Sequence, residues 1–230
     1  MEETRIVLVR HGESLAQRDR IVGGHSGCRG LSDRGRAQVE ALRDRLVASG
    51  ELAGATALYS SVMARAAQTA DILAQALDGL QVHPDCDFCE NHPGEGDGLD
   101  VEEYDRRWPF PTPWTADTRR DPGSESFAEM RERVRRALDT LIERHRGETV
   151  VVACHGGVVV HSMLHWLDVD PAGIASRAWL NPVNTSLTEW RIVPRRSWGP
   201  PVELVCFNDH AHLRGGLRPR WPRGNPSSAQ

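Results

Sequence analysis

Two apolar runs in the sequence each lead into a histidine that is followed by glycine. Residues 6–9 lead into Arg10 and His11, and residues 150–154 lead into His155. Short uninterrupted runs of this kind are typical of strands that are buried on both faces of a sheet. Ligands of open α/β sheets bind at the carboxyl ends of the strands. The two runs therefore predict an α/β fold with both histidines at one edge of the sheet.

Strands and helices alternate along the rest of the chain. Hydrophobic periodicity predicts strands over 4–10, 56–60, 149–154, 186–193 and 202–207, and helices over 33–48, 64–77, 124–145 and 157–167. The helix over 124–145 carries apolar residues at spacings of three and four, with arginines and glutamates on its other face. This alternation is typical of a layered α/β domain.

The chain is long enough for one domain with a sizeable core, which we place over residues 1–213. Residues 83–123 are rich in proline, glycine, aspartate and tryptophan, and we expect an irregular cap or binding segment there. The tryptophans of that segment are a candidate homodimer interface. Residues 214–230 include several arginines and prolines, and we expect them to form a flexible basic tail.

Composition argues against several classes of protein. The formal net charge of −4 disfavours a general nucleic-acid binder. No apolar run approaches the roughly 18 residues of a membrane span, and the chain starts with a strand rather than a signal peptide. The five scattered cysteines favour a reduced, cytoplasmic protein. Arginine supplies all 28 lysine-plus-arginine positions, so it is the only permanently charged cation for binding anions.

Positively charged or ionisable side chains follow three of the predicted strands. Arg10 and His11 follow the first strand, Arg65 lies just after the second, and His155 follows the third. If these strands share one parallel sheet, the four side chains converge at its edge. Arginine forks bind phosphate oxygens, and a histidine can accept a phosphoryl group. The pattern predicts a pocket for a phosphate dianion.

Motifs over most of the chain resemble those of the histidine phosphatase superfamily, which includes phosphoglycerate mutases and many small phosphatases. The matching segments, in order, are Arg10-His11-Gly12-Glu13-Ser14, residues 61–70, residues 123–126, His155-Gly156-Gly157 and residues 208–213. The resemblance covers about residues 4–213. It implies a three-layer α/β/α sandwich with a mostly parallel central sheet.

The resemblance also implies catalytic roles. His11 is the expected nucleophile, held by a hydrogen bond from its other ring nitrogen to a backbone carbonyl near Gly12. Arg10, Arg65 and His155 are expected to bind the phosphoryl oxygens, where the transition-state charge is located. Because arginines neutralise that charge, no metal and no other cofactor is expected.

The proton donor is assigned by spacing within the resemblance. Glu90 is followed by Gly94 and then by Asp97-Gly98-Leu99, which fits the family pattern. Glu90 is therefore the expected general acid, and Glu13, Glu95 and Asp97 are weaker candidates.

The chain departs from the family near the expected substrate. Gln17 stands where many relatives have asparagine, and the loop over residues 23–32 lacks the usual tryptophan and aspartate. We expect Gln17 and His92 to contact substrate. Arg29 is either a further anion contact or a solvated loop residue.

One segment has the spacing of a zinc site. His83, Cys86, Cys89 and His92 follow one another at intervals of three residues. However, no long loop separates two pairs of ligands, and a metal there would enclose Glu90. We therefore expect no metal site.

The sequence favours a metal-independent phosphomonoester hydrolase that uses a phosphohistidine intermediate and acts on a small phosphorylated metabolite. A phosphoglycerate-type mutase is the first alternative, although the short stretch from Glu90 to His155 resembles the phosphatases. A third alternative is an inactive module that only binds phosphate esters. Retention of the expected catalytic residues argues against it.

Overall fold

A six-stranded sheet within the described residues contains both apolar runs. The computed structural model describes residues 3–169, 180–193 and 198–219. The strands are β1 (Thr4–Arg10), β2 (Ala57–Ser60), β3 (Val82–Pro84), β4 (Thr149–Cys154), β5 (Leu187–Ile192) and β6 (Val202–Asp209). The helices are α1 (Leu15–Asp19), α2 (Asp33–Ser49), α3 (Ala64–Ala74), α4 (Val101–Arg107), α5 (Phe127–Arg144) and α6 (Gly156–Trp166). Short 3-10 turns cover Cys86–Phe88 and Gly215–Leu217.

The strand order brings three strand ends to one edge of the sheet. The order is β3-β2-β4-β1-β5-β6. The first four strands are parallel, whereas β5 is antiparallel to both of its neighbours. Arg10 is in register with Cys154, and Ser60 is in register with Ala153. The segments that follow β1, β2 and β4 therefore leave the sheet at the same level.

The central strands are buried on both faces, which explains why their sequences are uninterrupted apolar runs. One face contributes Ile6, Leu8, Val150 and Val152 to a core with α5 and α6, and the other contributes Val7, Val9, Val151 and Ala153 to a core with α2 and α3. Each fully buried aliphatic side chain stabilises the fold by about 1.5–3 kcal/mol. The predicted three-layer α/β/α sandwich with a mostly parallel sheet is confirmed.

The predicted helices differ from the observed ones mainly at their ends. Helix α5 begins at Phe127 rather than at 124, because Ser126 caps it in a reciprocal capping box with Glu129. Helix α3 ends at Ala74 rather than at 77, because the turn that follows reaches Gly79 at a φ of 71°.

The segment over residues 83–123 is more regular than expected. It contains α4, and the buried carboxylate of Asp121 holds it together. That carboxylate accepts hydrogen bonds from the Gly96 N–H at 2.7 Å and from the Tyr104 hydroxyl at 3.0 Å. A buried carboxylate with good donors orders the surrounding backbone.

The two tryptophans of this segment pack against neighbouring rings. Trp108 lies 5.6 Å from Tyr104, and Trp114 lies edge-on to Phe127 at 5.6 Å between ring centroids. These contacts account for the tryptophans within one chain, and the homodimer stays a prediction.

The first part of the expected flexible tail is bound to the domain. The Arg34 guanidinium donates to the carbonyl oxygens of Gly216 and Leu217 at 3.3 Å and of Arg218 at 2.7 Å. These contacts explain why the chain is ordered beyond residue 213. Residues 220–230 lie outside the described part of the chain. No helix among the described residues has the length and apolarity that crossing a membrane requires.

Candidate active site

His11 lies at the carboxyl end of β1 and is almost fully buried, with 3% of its surface exposed. Its Nδ1 lies 2.6 Å from the Gly12 carbonyl oxygen, and its Nε2 lies 3.1 Å from Nε of Arg65. A carbonyl only accepts and a guanidinium only donates. These partners therefore place the ring proton on Nδ1 and leave the Nε2 lone pair facing the site.

The charge state of His11 follows from the same surroundings. Burial, followed by the positive charges of Arg65 and Arg10, holds the pKa of His11 well below its ordinary value. The ring is therefore neutral at physiological pH, which is the state that a nucleophile requires.

Arg65 connects His11 to the loop between α1 and α2. It lies in the first turn of α3 and is buried, with 4% exposure. Its Nη1 donates to the Gly23 carbonyl at 2.7 Å, while its Nε faces His11. This double attachment fixes the guanidinium at the carboxyl edge of the sheet.

His155 lies at the end of β4, with its ring 5.0 Å from that of His11 in an edge-on arrangement. Its Nε2 lies 2.8 Å from the hydroxyl of Ser61. Its Nδ1 is buried and has no hydrogen-bond partner among the described residues. Burial is the main reason that the pKa of His155 is well below its ordinary value, with Arg65 adding to the effect.

Arg10 completes the cluster of positive and ionisable groups. One of its terminal nitrogens donates to the Pro182 carbonyl, whereas its buried Nε has no partner in the part of the chain that the structure describes. Burial lowers the pKa of Arg10, and the nearby carboxylate of Glu90 opposes that effect. Glu90 is therefore a neighbour of Arg10.

The side chain of Glu90 lies against the first turn of α6, which directly follows His155. Its carboxylate accepts hydrogen bonds from the backbone N–H groups of Gly157 and Asn91, both at 3.1 Å. A Cβ atom at position 157 would lie only 2.0 Å from Oε1 of Glu90. Glycine at this position is therefore what allows the carboxylate to approach the helix.

The other acidic candidates are held in loop structure. The Asp97 carboxylate accepts from the N–H groups of Gly24, Ser26 and Gly27 at 2.7–2.9 Å. The Glu13 carboxylate accepts from Arg34 at 2.7 Å and from Ser32 at 2.8 Å.

Glu95 is exposed. Among the four carboxylates considered from the sequence, Glu90 is the one that contacts α6 beside His155.

Three further residues, Gln17, Arg29 and His92, were considered as substrate contacts from the sequence, and the structure places them in different surroundings. The Gln17 side chain accepts from the Ser14 N–H and from the Asn184 side chain, both at 3.1 Å. Arg29 pairs with Asp19 at 3.1 Å and leaves 60% of its side chain exposed, so the structure does not bring it to the phosphate-binding groups.

His92 lies beside a different histidine. Its ring is 5.1 Å from that of His25, and its Nε2 is 3.9 Å from Sγ of Cys86. His83 points elsewhere, with its ring 5.4 Å from Tyr59. The spacing noted in the sequence therefore does not bring His83 to the cysteines.

Sequence reasoning missed Arg133, which supports the segment that carries Glu90. Its guanidinium pairs with Glu125 at 2.7 Å and donates to the carbonyl oxygens of Asp87 and Cys89 at 2.9 and 3.0 Å. The available signal was an arginine on the apolar face of the amphipathic helix α5, next to Val134.

Sequence reasoning also missed Asn184, whose side chain donates to the His11 carbonyl at 3.0 Å. This residue lies in the turn before β5, which is far from His11 in the sequence. No periodicity or motif considered in the sequence pointed to it.

Comparison with known proteins adds an independent line of evidence. A family model described as the histidine phosphatase superfamily (branch 1) matches residues 6–198. Phosphoglycerate mutase-like protein 4 of Arabidopsis thaliana is 31% identical over 217 residues, which cover 93% of this chain and 88% of that protein. The metal-independent phosphoserine phosphatase of Arabidopsis thaliana is 31% identical over 195 residues, which cover 83% of this chain and 80% of that protein.

A solved structure and a longer relative complete the comparison. Mycobacterial glucosyl-3-phosphoglycerate phosphatase has a TM-score of 0.71 at 23% identity, and the match covers 90% of this chain and 99% of that one. This likeness shows a shared fold. A bifunctional protein of Mycobacterium tuberculosis is 36% identical over 190 residues, and the match spans 50% of that protein's length.

Proposed function

Since the chain belongs to the histidine phosphatase superfamily, we propose that it hydrolyses phosphate monoesters through a phosphohistidine intermediate. The proposed substrate class is a small phosphorylated metabolite. Relatives whose names state a phosphatase substrate support this class, because phosphoserine and glucosyl-3-phosphoglycerate are small phosphate esters.

One observation carries the proposal: two buried polar nitrogens beside His11 lack partners among the described residues. They are Nε of Arg10 and Nδ1 of His155. A buried donor without a partner costs about 1–3 kcal/mol. A phosphoryl oxygen would accept from Nε of Arg10, and from Nδ1 of His155 in the tautomer that carries the ring proton there while Nε2 accepts from the Ser61 hydroxyl. Arg65 would supply a third donor once its Nε leaves His11.

In the first step, Nε2 of His11 attacks the phosphorus atom of the ester. A phosphorus–nitrogen bond forms, and the bond to the ester oxygen breaks with its electron pair moving to that oxygen. Arg10, Arg65 and His155 stabilise the charge on the equatorial oxygens. The hydrogen bond from Nδ1 to Gly12 stabilises the positive charge that develops on the ring.

Glu90 serves as the proton donor to the leaving oxygen. In the second step it accepts a proton from water, whose oxygen attacks the phosphohistidine and releases inorganic phosphate and neutral His11. Its carboxylate reaches the first turn of α6 directly after His155, which places it within the site and supports this role. Since arginines neutralise the phosphoryl charge, we propose that the reaction needs no metal at the reacting atoms.

The test is hydrolysis of p-nitrophenyl phosphate and of a panel of small phosphomonoesters by the full chain. Wild type should release phosphate, and His11→Ala should reduce the rate to background. His83→Ala is the matched control, since its exposed ring lies against Tyr59, and it should retain the wild-type rate. An acid-labile phosphoryl group trapped on wild type and absent from His11→Ala identifies the intermediate.

Two outcomes would overturn the proposal in different ways. Inactivity of wild type across the panel would favour a module that only binds phosphate esters. Exchange between 2- and 3-phosphoglycerate that is faster than hydrolysis would favour the mutase. Cytoplasmic location, a homodimer and the lack of nucleic-acid binding stay predictions from the sequence.

A further inference from the structure

Four side chains with metal-binding atoms gather beside the segment that carries Glu90. They are His25, from the loop between α1 and α2, together with Cys86, Cys89 and His92. One nitrogen or sulfur atom from each lies within 4.8 Å of all the others. We propose that these four residues bind one structural Zn²⁺ ion.

The distances fit a tetrahedral site. Sγ of Cys86 lies 3.3 Å from Sγ of Cys89 and 3.9 Å from Nε2 of both His25 and His92. Zinc bonds of about 2.3 Å to sulfur and about 2.0 Å to nitrogen place tetrahedral ligand atoms about 3.3–3.8 Å apart. Small side-chain adjustments would therefore complete the coordination.

The chemistry of the four groups selects a metal more readily than a disulfide. Two thiolates and two imidazoles form the donor set of many structural zinc sites. A disulfide between Cys86 and Cys89 would bring the sulfurs to about 2.0 Å and would give the two imidazoles no role. On binding, each cysteine loses its thiol proton, so the ion and both thiolates form a neutral site.

Both ligand-bearing segments are held by charged groups outside the cluster. The Asp97 carboxylate fixes the backbone on either side of His25 through the N–H groups of Gly24 and Ser26. Arg133 fixes the turn that contains both cysteines, because its guanidinium donates to three backbone carbonyl oxygens of that turn. A site that is held in place before the ion arrives binds with less loss of conformational entropy.

The proposed ligand set resolves the objection drawn from the sequence. The set of four ligands noted in the sequence lacked a long loop between ligands. His25 replaces His83 in the proposed set, and 61 residues separate it from Cys86. Glu90 is not enclosed, because its carboxylate points to the N–H groups of Gly157 and Asn91. The expectation of no metal site was argued for His83 as the fourth ligand, whereas the proposed set has His25 in its place.

The ion would position the active site without taking part in the reaction. Four protein ligands leave no open position for substrate. The ion would tie the loop that holds Arg65, through Gly23, to the turn that precedes Glu90. Ser61 adds a second connection, because its hydroxyl contacts both Sγ of Cys89 at 3.2 Å and Nε2 of His155 at 2.8 Å.

The test measures metal on the purified, reduced full chain by plasma mass spectrometry. We expect one Zn²⁺ per chain and, after exchange for Co²⁺, the strong visible bands of a tetrahedral cobalt–thiolate site. Cys86→Ser should abolish the thiolate bands, and His25→Ala should weaken zinc binding at least tenfold in competition with a chromophoric chelator. His83→Ala and Cys206→Ser are the matched controls and should bind zinc like wild type.

The result is independent of catalysis, because metal content and the cobalt spectrum need no substrate. Exposed His25 provides a variant that keeps the buried core intact, so a folding failure of the cysteine variants would not decide the question. Absence of zinc after loading, or metal loss in His83→Ala but not in His25→Ala, would overturn the proposal. A mass two hydrogens lower under reducing conditions would indicate a disulfide and also overturn it.

Discussion

Replacing Gly157 by alanine should separate proton donation from phosphoryl transfer. The new Cβ would lie 2.0 Å from Oε1 of Glu90, whereas ordinary contact begins at 3.4 Å. The carboxylate must therefore move by about 1.4 Å and give up its hydrogen bond from the residue 157 N–H. His11, Arg10 and Arg65 make no contact of this kind with Gly157, so the phosphate-binding groups should stay in place.

The magnitude follows from the role of the displaced group. General acid catalysis contributes about 10²–10⁴-fold, and a misplacement of about 1 Å can remove about 10²-fold. We therefore expect kcat for an alkyl phosphate to fall about 10²-fold. The burst of p-nitrophenolate release, which reports the first step alone, should slow less than about threefold, because p-nitrophenolate leaves without a proton.

The assay compares both substrates in wild type, Gly157→Ala, Glu90→Gln and the double variant. The double variant should be no slower on the alkyl ester than Glu90→Gln alone, because both changes remove the same function. Gly216→Ala is the matched control, since a Cβ there would meet no heavy atom of the described residues within 4 Å. An equal loss of Gly157→Ala in the alkyl-ester rate and in the p-nitrophenolate burst would refute the reasoning, as would an unchanged rate on the alkyl ester.

Other predictions concern folding and inhibition. Arg133→Met leaves the Glu125 carboxylate buried without its partner and should lower the free energy of unfolding by about 3–5 kcal/mol in urea denaturation, whereas Arg133→Met combined with Glu125→Gln should lose less. Burial lowers the pKa of His161 to about 4. Between about pH 6.5 and 4 this imidazole is therefore protonated in the unfolded chain but not in the folded chain. The free energy of unfolding should therefore decrease as the pH is lowered across that window, by about 3 kcal/mol from this residue. A His161→Phe variant whose free energy of unfolding keeps the wild-type dependence on pH would contradict the assignment. Vanadate should inhibit competitively by occupying the phosphoryl site, more weakly in Arg65→Ala, and indifference to millimolar vanadate would count against the pocket.

The sheet and the cluster at its edge were predictable because their signals are local. Uninterrupted runs around Ile6 and Val151 report burial on both faces, and residues directly after such strands must lie at the sheet edge. The chain order of the strands does not give their spatial order. The placement of β4 between β1 and β2 depends on packing of the helices between them.

The residues that escaped sequence analysis act across long separations in the chain. Arg133 supports a turn that precedes it by more than 40 residues, and Asn184 donates to His11 from 173 residues away. His25 joins the cysteines only because folding brings the loop between α1 and α2 beside the turn that contains Cys86. Periodicity and motif spacing report neighbours along the chain, so they identify strand ends well and such distant partners poorly.

Nε of Arg10 and Nδ1 of His155, which lack hydrogen-bond partners among the described residues, also link folding to the solution around the protein. A fold that leaves two buried polar groups unsatisfied is less stable than the same fold with an anion between them. By mass action, an anion at about one hundred times its dissociation constant adds about 2.7 kcal/mol to the free energy of unfolding. Melting temperatures measured in phosphate buffer would thus combine folding with ligand binding. A substitution at the site would appear to destabilise the fold in that buffer even when it removes only the ability to hold the anion.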